Sequence, residues 1–165
     1  MRVARSLEVW KMGAMNYLQG IMMQEKAMSA RKGTDILLSL RHSPAYKLGK
    51  RPTIHNLLVP ESELKSKGAE IHYRERGGDV TSHGLRQTLP YPILSLLDIG
   101  PGARKYVENL ELTMTELASL YCLKDCAGKT GETGVRVGGQ KVAQLEFVFH
   151  HELPFIGLQI ILIMN

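Results

Sequence analysis

The stretch that decides the fold is Arg76-Gly77-Gly78-Asp79-Val80-Thr81-Ser82-His83-Gly84-Leu85-Arg86-Gln87, followed closely by Tyr91-Pro92. Two adjacent glycines after an arginine let the backbone turn sharply and approach a ligand closely, because glycine has no Cβ. The arginine can bind an anion or a carbonyl group. We expect the side chains of Thr81, Ser82, His83 and Gln87 to place donors and acceptors on one wall of a site. A polar surface turn between two strands is the alternative that the bare pattern leaves open.

The bulk composition indicates one soluble globular domain. A chain of 165 residues can bury a substantial core, and 44% hydrophobic with 22% charged residues is an ordinary balance. The net charge of +5 suits an acidic partner. Nucleic acid is one such partner, but no basic run interleaved with aromatic residues supports it, and an acidic carrier protein fits the charge equally well. No apolar run of ~20 residues predicts a membrane span.

The cysteines, Cys122 and Cys126, are too few for a disulfide scaffold, which favours a reducing compartment. Their spacing is not a zinc motif without further ligands. We therefore predict no metal site and interpret both as structural or incidental thiols.

Strands and helices alternate along the chain, which predicts an α+β domain. An apolar stripe on the first helix consists of Met15, Leu18, Ile21, Met22 and Met28. The other predicted elements are strands at 7–10, 36–40, 70–74 and 92–97, a short helix after Pro60, a long helix from Ala103 to Tyr121, and a hairpin at Gly138-Gly139 with Lys141 on its second strand.

The organising stretch resembles the signature of lipoyl(octanoyl) transferases, whose usual text is RGGxxTYHGPGQ. Further matches lie at residues 48–51, 102–108 and 133–142, so the resemblance covers the chain from about Leu7 to Val142. Two departures from the family text are Ser82 in place of the tyrosine and Leu85-Arg86 in place of Pro-Gly. Replacing a turn Pro-Gly changes the geometry of the loop.

The resemblance implies a biotin/lipoate protein ligase-like mixed sheet flanked by helices, incomplete at the C-terminus. It implies transfer of an octanoyl group from octanoyl-acyl carrier protein to a lysine of lipoyl domains, in 2-oxoacid dehydrogenases and the glycine cleavage H protein, without a cofactor. Lys141 matches the lysine that lowers the pKa of the family's nucleophilic cysteine. The opening LEVWK text resembles mitochondrial forms. The implied substrate-binding residues are Arg76, Gly77, Gly78, Asp79, Val80, Thr81, Ser82 and His83.

The last part of the chain departs from the family. Neither cysteine stands in the family's Pro-Cys-Gly motif, so we expect this chain to be impaired as a transferase. We divide it into a partial octanoyltransferase domain at 1–143 and a non-family tail at 144–165. Back-translation shifted by one base permits the family text IGVRIS, so we interpret the tail as a frameshift. The alternatives are a non-catalytic remnant that binds acyl groups or carrier domains, and an ATP-dependent lipoate or biotin ligase.

Overall fold

The computed structural model describes residues 6–31, 33–49, 56–73, 79–94, 102–120, 126–129, 132–137, 140–149 and 156–163. The helices are α1 (Tyr17–Ala30), α2 (Glu61–Ser66) and α3 (Gly102–Leu120). The strands are β1 (Leu7–Met15), β2 (Asp35–His42), β3 (Ala45–Leu48), β4 (Glu70–Tyr73), β5 (Thr81–His83), β6 (Gln87–Ile93), β7 (Cys126–Lys129), β8 (Glu132–Val137), β9 (Gln140–Phe149) and β10 (Ile156–Ile163).

Two sheets form within the described residues. The large sheet has the order β1-β2-β6-β10-β9-β8-β7, and the small sheet has the order β4-β3-β5. The pairs β1–β2 and β3–β4 are parallel and the other pairs are antiparallel. The predicted mixed α+β architecture is therefore confirmed.

Helix α1 begins at a complete capping box. The side chain of Asn16 accepts a hydrogen bond from the Gln19 backbone, and the Gln19 side chain accepts one from the Asn16 backbone. The predicted apolar stripe is wrong for Leu18 and Met22, which are 52% and 65% exposed, whereas Met28 packs against the core. Met15 lies in β1 instead of the helix.

The buried face of α1 is formed by small and aromatic residues, namely Tyr17, Gly20 and Ala27. Ala27 packs on one face of the large sheet with alternate residues of β2 and β6. We call this cluster the α1 core; its buried members are Ala27, Ile36, Leu38, Leu40, Leu89, Tyr91 and Ile93.

Strand β6 lies earlier than the predicted strand at 92–97, whose last residues fall outside the described part of the chain. Pro90 and Pro92 argue locally against a strand, because proline has no N–H for a ladder. The strand forms because β2 pairs with it along Leu89–Ile93. On its other side β6 pairs with β10 through Gln87 and Thr88, the part that precedes the prolines.

Residues after Gln144 also join the large sheet. β9 continues to Phe149, and β10 pairs with β9 on one side and β6 on the other. A second core forms where α3 covers β8 and β9, with Tyr106, Met114, Val135, Ala143 and Leu145 buried.

Candidate functional site

The two sheets meet at a cluster of polar aromatic side chains, which we call the ring cluster: Tyr17, His42, His72, His83 and Tyr91. It draws on the start of α1, the end of β2 and the middle of β6 from the large-sheet side, and on β4 and β5 from the small sheet. Histidine and tyrosine rings supply both donors and acceptors. The cluster is therefore the best candidate site in the described part of the chain.

His42 is the centre of the ring cluster and is fully buried. Its Nε2 lies 3.0 Å from the Tyr91 hydroxyl. Its ring meets those of Tyr17 and His83 edge-on, with centroid distances of 5.3 and 5.4 Å. The rings of Tyr17 and His83 are nearly parallel, 6.1 Å apart at an angle of 12°. His83 therefore contacts two aromatic rings that also contact each other.

Gly20 allows α1 to approach the His42 ring. A Cβ placed on Gly20 would lie 2.3 Å from His42 Cε1, which is far inside van der Waals contact. The ring has little room to move away, because it is enclosed by Tyr17, His83 and Tyr91. Glycine is thus required here by a close approach and not by backbone conformation.

Burial lowers the pKa of His42 to about 4, because a charged ring loses its hydration in the interior. The backbone at Met15 and Asn16 raises the pKa in part, and the charge of Lys47 lowers it further. His42 is therefore neutral at pH 7. Its Nδ1 makes no hydrogen bond to the described residues.

A buried lysine faces the ring cluster from the small sheet. Lys47 on β3 is 2% exposed, and its Nζ lies 5.6 Å from the centroid of the Tyr17 ring. In the register of the sheet it stands beside His72 on β4 and Thr81 on β5. His72 Nε2 lies 2.8 Å from a carboxylate oxygen of Glu70.

The residues of the organising stretch divide between the two faces of the small sheet. Thr81 and His83 alternate with Ser82, so they share the inward face with Lys47 and Ala45. Ser82 is exposed on the opposite face, so the expectation of one common wall is wrong for Ser82.

The remaining residues of that stretch have separate environments. Asp79 is exposed and accepts a hydrogen bond from Asn56, and Val80 is half-buried. Gln87 begins β6, and its Oε1 is buried without a hydrogen-bond partner among the described residues. The predicted residues Arg76, Gly77 and Gly78 lie outside the described residues.

Lys141 stands at the same end of the large sheet as the β5–β6 turn. Leu162 of β10 pairs with Thr88 on one side and Ala143 on the other. The strand spacing puts Thr88 and Ala143 about 10 Å apart. Lys141 lies two residues beyond Ala143, level with the turn at Arg86.

A bulge in β9 sets the local backbone beside Lys141. Val135 pairs with Ala143 and Arg136 pairs with Lys141, so Val142 is the extra residue. Gly134 has φ +126°, and a Cβ there would lie 2.4 Å from the Ala143 carbonyl oxygen. Glycine is therefore needed at this point of β8, opposite the bulge in β9.

Sequence reasoning missed the internal half of the site. The sequence patterns do not single out Tyr17, His42 or Lys47, although His42 and Lys47 lie in β2 and β3. The signal was present in β2, where the apolar alternation of Ile36, Leu38 and Leu40 continues onto His42. A histidine at a core position requires a polar partner, here Tyr91.

Other kinds of site were also sought in the described part of the chain. It contains no group of three His, Cys, Asp or Glu side chains arranged to hold a metal ion. No helix there has the length and hydropathy needed to cross a membrane. Cys126 begins β7, and Cys122 lies outside the described residues.

Comparison with known proteins places the chain in a family. Residues 16–145 match the sequence model described as the lipoyl protein ligase A/B catalytic domain. The chain belongs to this family. The match covers α1 through most of β9, including all five residues of the ring cluster. The predicted resemblance is confirmed.

Two relatives of this lipoyl protein ligase A/B member are octanoyltransferases. The chain is 56% identical over 148 residues to the mitochondrial octanoyltransferase LIP2 of Arabidopsis thaliana, covering 88% of this chain and 63% of the relative. It is 38% identical over 142 residues to the octanoyltransferase of Desulforamulus reducens, covering 84% of this chain and 62% of the relative. The chain thus spans less than two thirds of the length of either relative.

A solved structure confirms the fold. Lipoate-protein ligase A bound with ATP matches with a TM-score of 0.71 at 12% identity, over 99% of this chain and 68% of that chain. The biotin/lipoate protein ligase-like architecture expected from the resemblance is therefore confirmed.

Proposed function

We propose that this chain is the acyl-donor-binding part of a lipoyl(octanoyl) transferase, which moves an octanoyl group from octanoyl-acyl carrier protein to a lysine of lipoyl domains. The observation that carries the proposal is the 56% identity to a plant mitochondrial octanoyltransferase over 148 residues. Supporting it, Thr81 and His83 of the matched stretch face inward beside a buried lysine and a buried histidine.

The proposed roles follow from chemistry and position. The loop containing Arg76, Gly77 and Gly78, together with inward-facing Thr81 and His83, binds the acyl thioester. Lys141 favours the thiolate of the nucleophile, because a nearby cation stabilises a negative charge. Support for a joint site is the register that brings Lys141 level with the β5–β6 turn.

The proposed reaction is transfer from thioester to amide in two steps. A cysteine thiolate attacks the thioester carbonyl carbon and the carrier leaves as its thiolate, which gives an acyl-enzyme. The neutral lysine amine of the lipoyl domain then attacks the acyl-enzyme, the enzyme thiolate is released as the amide forms, and the proton lost by the amine passes to the carrier thiolate or to solvent. No ATP is consumed, because the thioester is already activated.

A nucleophilic cysteine decides whether the protein transfers the octanoyl group or only binds its donor. Neither Cys122 nor Cys126 stands in a Pro-Cys-Gly motif. We therefore propose that these 165 residues bind the octanoyl donor without forming the acyl-enzyme. The non-catalytic alternative, an acyl- or carrier-domain-binding remnant, is favoured by the same observation. The residues after 143 are proposed as a non-family tail, and mitochondria are proposed as the location from the plant relative.

The experiment compares donors at equilibrium and then tests turnover. Dissociation constants are measured by titration calorimetry for octanoyl-acyl carrier protein and for the same carrier without an acyl chain. We expect the octanoyl form to bind at least tenfold more tightly. Equal affinity for the two carriers would overturn the proposal.

Turnover is followed by mass spectrometry of the chain and of an added lipoyl domain. We expect no octanoyl adduct on either protein. An adduct on both would identify an active transferase with an unexpected nucleophile. Adduct formation only with octanoate and ATP would instead identify a ligase.

A further inference from the structure

His83 contacts residues that lie far along the chain from the stretch at 76–87. It is 4% exposed, and the rings of Tyr17 and His42 contact it from α1 and β2. The small sheet on which His83 stands has no pairing with the large sheet within the described residues. Side-chain contacts of the ring cluster therefore contribute to the orientation of His83, together with its pairing on β5.

The position of His42 is fixed from three directions. Gly20 closes one side, because there is no space even for a methyl group between α1 and the ring. Tyr91 fixes Nε2 by the 3.0 Å hydrogen bond. Tyr17 meets the ring edge-on. A buried ring with these contacts is confined, since interiors are close-packed.

The hydrogen bond also ties the protonation of the ring to Tyr91. Because the neutral ring carries one proton, Nε2 either donates to the Tyr91 hydroxyl or accepts from it, and in both tautomers the bond joins His42 to Tyr91. A neutral His42 adds no positive charge beside Lys47 and His83.

We propose that His42 and Tyr91 are positioning residues: their hydrogen bond, backed by Gly20, fixes the ring on which His83 of the substrate loop is oriented. The proposal rests on the proposed function for its effect on the acyl donor. Its structural half, the coupling of Tyr91 to His83, does not depend on that function.

The test removes one oxygen atom and compares two tyrosines. Tyr91→Phe deletes the hydroxyl that bonds His42. Tyr46→Phe is the matched control, because Tyr46 is half-buried on β3 and alternates with inward-facing Lys47 and Ala45, so it lies on the opposite face. Circular dichroism and thermal unfolding establish that both variants are folded.

Two readouts are taken on the full chain. Long-range ¹H–¹⁵N spectra of the histidine rings report the tautomer of His42 and the environment of His83 without any ligand. Titration calorimetry with S-octanoyl-N-acetylcysteamine, a small thioester probe, reports acyl-donor affinity. We expect Tyr91→Phe to shift the His42 and His83 signals and to weaken binding about fivefold. Tyr46→Phe should leave both unchanged.

The outcomes separate the two proposals. If His83 signals are the same in Tyr91→Phe and Tyr46→Phe, the positioning role is wrong whatever the affinity. If the signals shift but the probe binds Tyr91→Phe as tightly as wild type, the orientation of His83 has no role in binding and the proposal fails. If wild type binds no octanoyl thioester although the signals shift, the proposed function fails and the coupling of Tyr91 to His83 stands.

Discussion

The α1 core and the ring cluster share three elements, α1, β2 and β6, yet they differ in chemistry. Along one face of β2, Ile36, Leu38 and Leu40 enter the α1 core and His42 enters the ring cluster. Tyr91 belongs to both, because its ring is part of the α1 core and its hydroxyl bonds His42.

The difference in chemistry between the α1 core and the ring cluster has an energetic consequence. Apolar side chains stabilise the fold in proportion to the area they bury. Buried histidines and tyrosines stabilise it less, because each polar atom must recover the hydrogen bond it made to water. The ring cluster therefore serves mainly to orient side chains, and the α1 core serves mainly to stabilise the fold. Each variant below tests one side of this division.

Leu38→Ala should give the largest loss of stability. Leu38 is fully buried at the centre of the α1 core. Removing a buried leucine leaves a cavity and lowers the free energy of unfolding by about 3 kcal/mol. Urea unfolding followed by fluorescence measures it. Affinity of the folded protein for the octanoyl thioester should not change. The control Leu112→Ala removes an exposed leucine of α3 and should cost less than about 0.5 kcal/mol.

Gly20→Ala should affect both regions. Alanine favours a helix over glycine by about 1 kcal/mol, but its Cβ would displace the enclosed His42 ring. Overpacking of this kind costs about 1–3 kcal/mol, so we expect a net destabilisation of about 1 to 2 kcal/mol in urea unfolding. Gly84→Ala is the control, because nothing lies within 4 Å of a Cβ there. A stabilised Gly20→Ala protein would show that His42 is not confined.

The sequence predicts best those elements that form through local propensity and periodicity. The strand at Leu7 and the long helix after Gly102 follow from periodicity and local propensity. Strand β6 was placed too late, since pairing with β2 overrides the two prolines.

The sequence predicts only those residues of the candidate site that belong to the loop motif. His83 and Thr81 belong to a recognisable motif. Tyr17 and His42 were missed because a contact between residues far apart in the chain leaves no local pattern. Gly20 was missed because its cause is the ring that packs against it, which only the tertiary structure reveals.

Acid should weaken the fold through His42. Its pKa is lowered from 6.5 to about 4, so below pH 6.5 the unfolded chain binds a proton that the folded chain does not. Stability is therefore lost as the pH falls from 6.5 towards 4, by about 1 kcal/mol between pH 7 and pH 5.5.

The measurement compares urea unfolding of wild type and His42→Gln at both pH values. Other titratable groups near the ring, Lys47, His83 and Glu70, are retained in both proteins. The difference between the two proteins therefore isolates His42. An equal pH dependence in both would show that His42 titrates normally in the folded protein.

The smallest effects should distinguish the two faces of β5. Thr81 faces inward beside Lys47, and Ser82 faces outward and is exposed. Thr81→Val keeps the shape of the side chain and removes its hydroxyl, so we expect affinity for S-octanoyl-N-acetylcysteamine to fall about threefold. Ser82→Ala should change the dissociation constant by less than about 1.5-fold. An exposed hydroxyl is hydrogen-bonded to water in both the free and the bound protein. Titration calorimetry on both variants measures the contrast. If Ser82→Ala weakened binding more than Thr81→Val, the acyl donor would bind the outer face of the small sheet, and the ring cluster would be a buried polar core instead of a site.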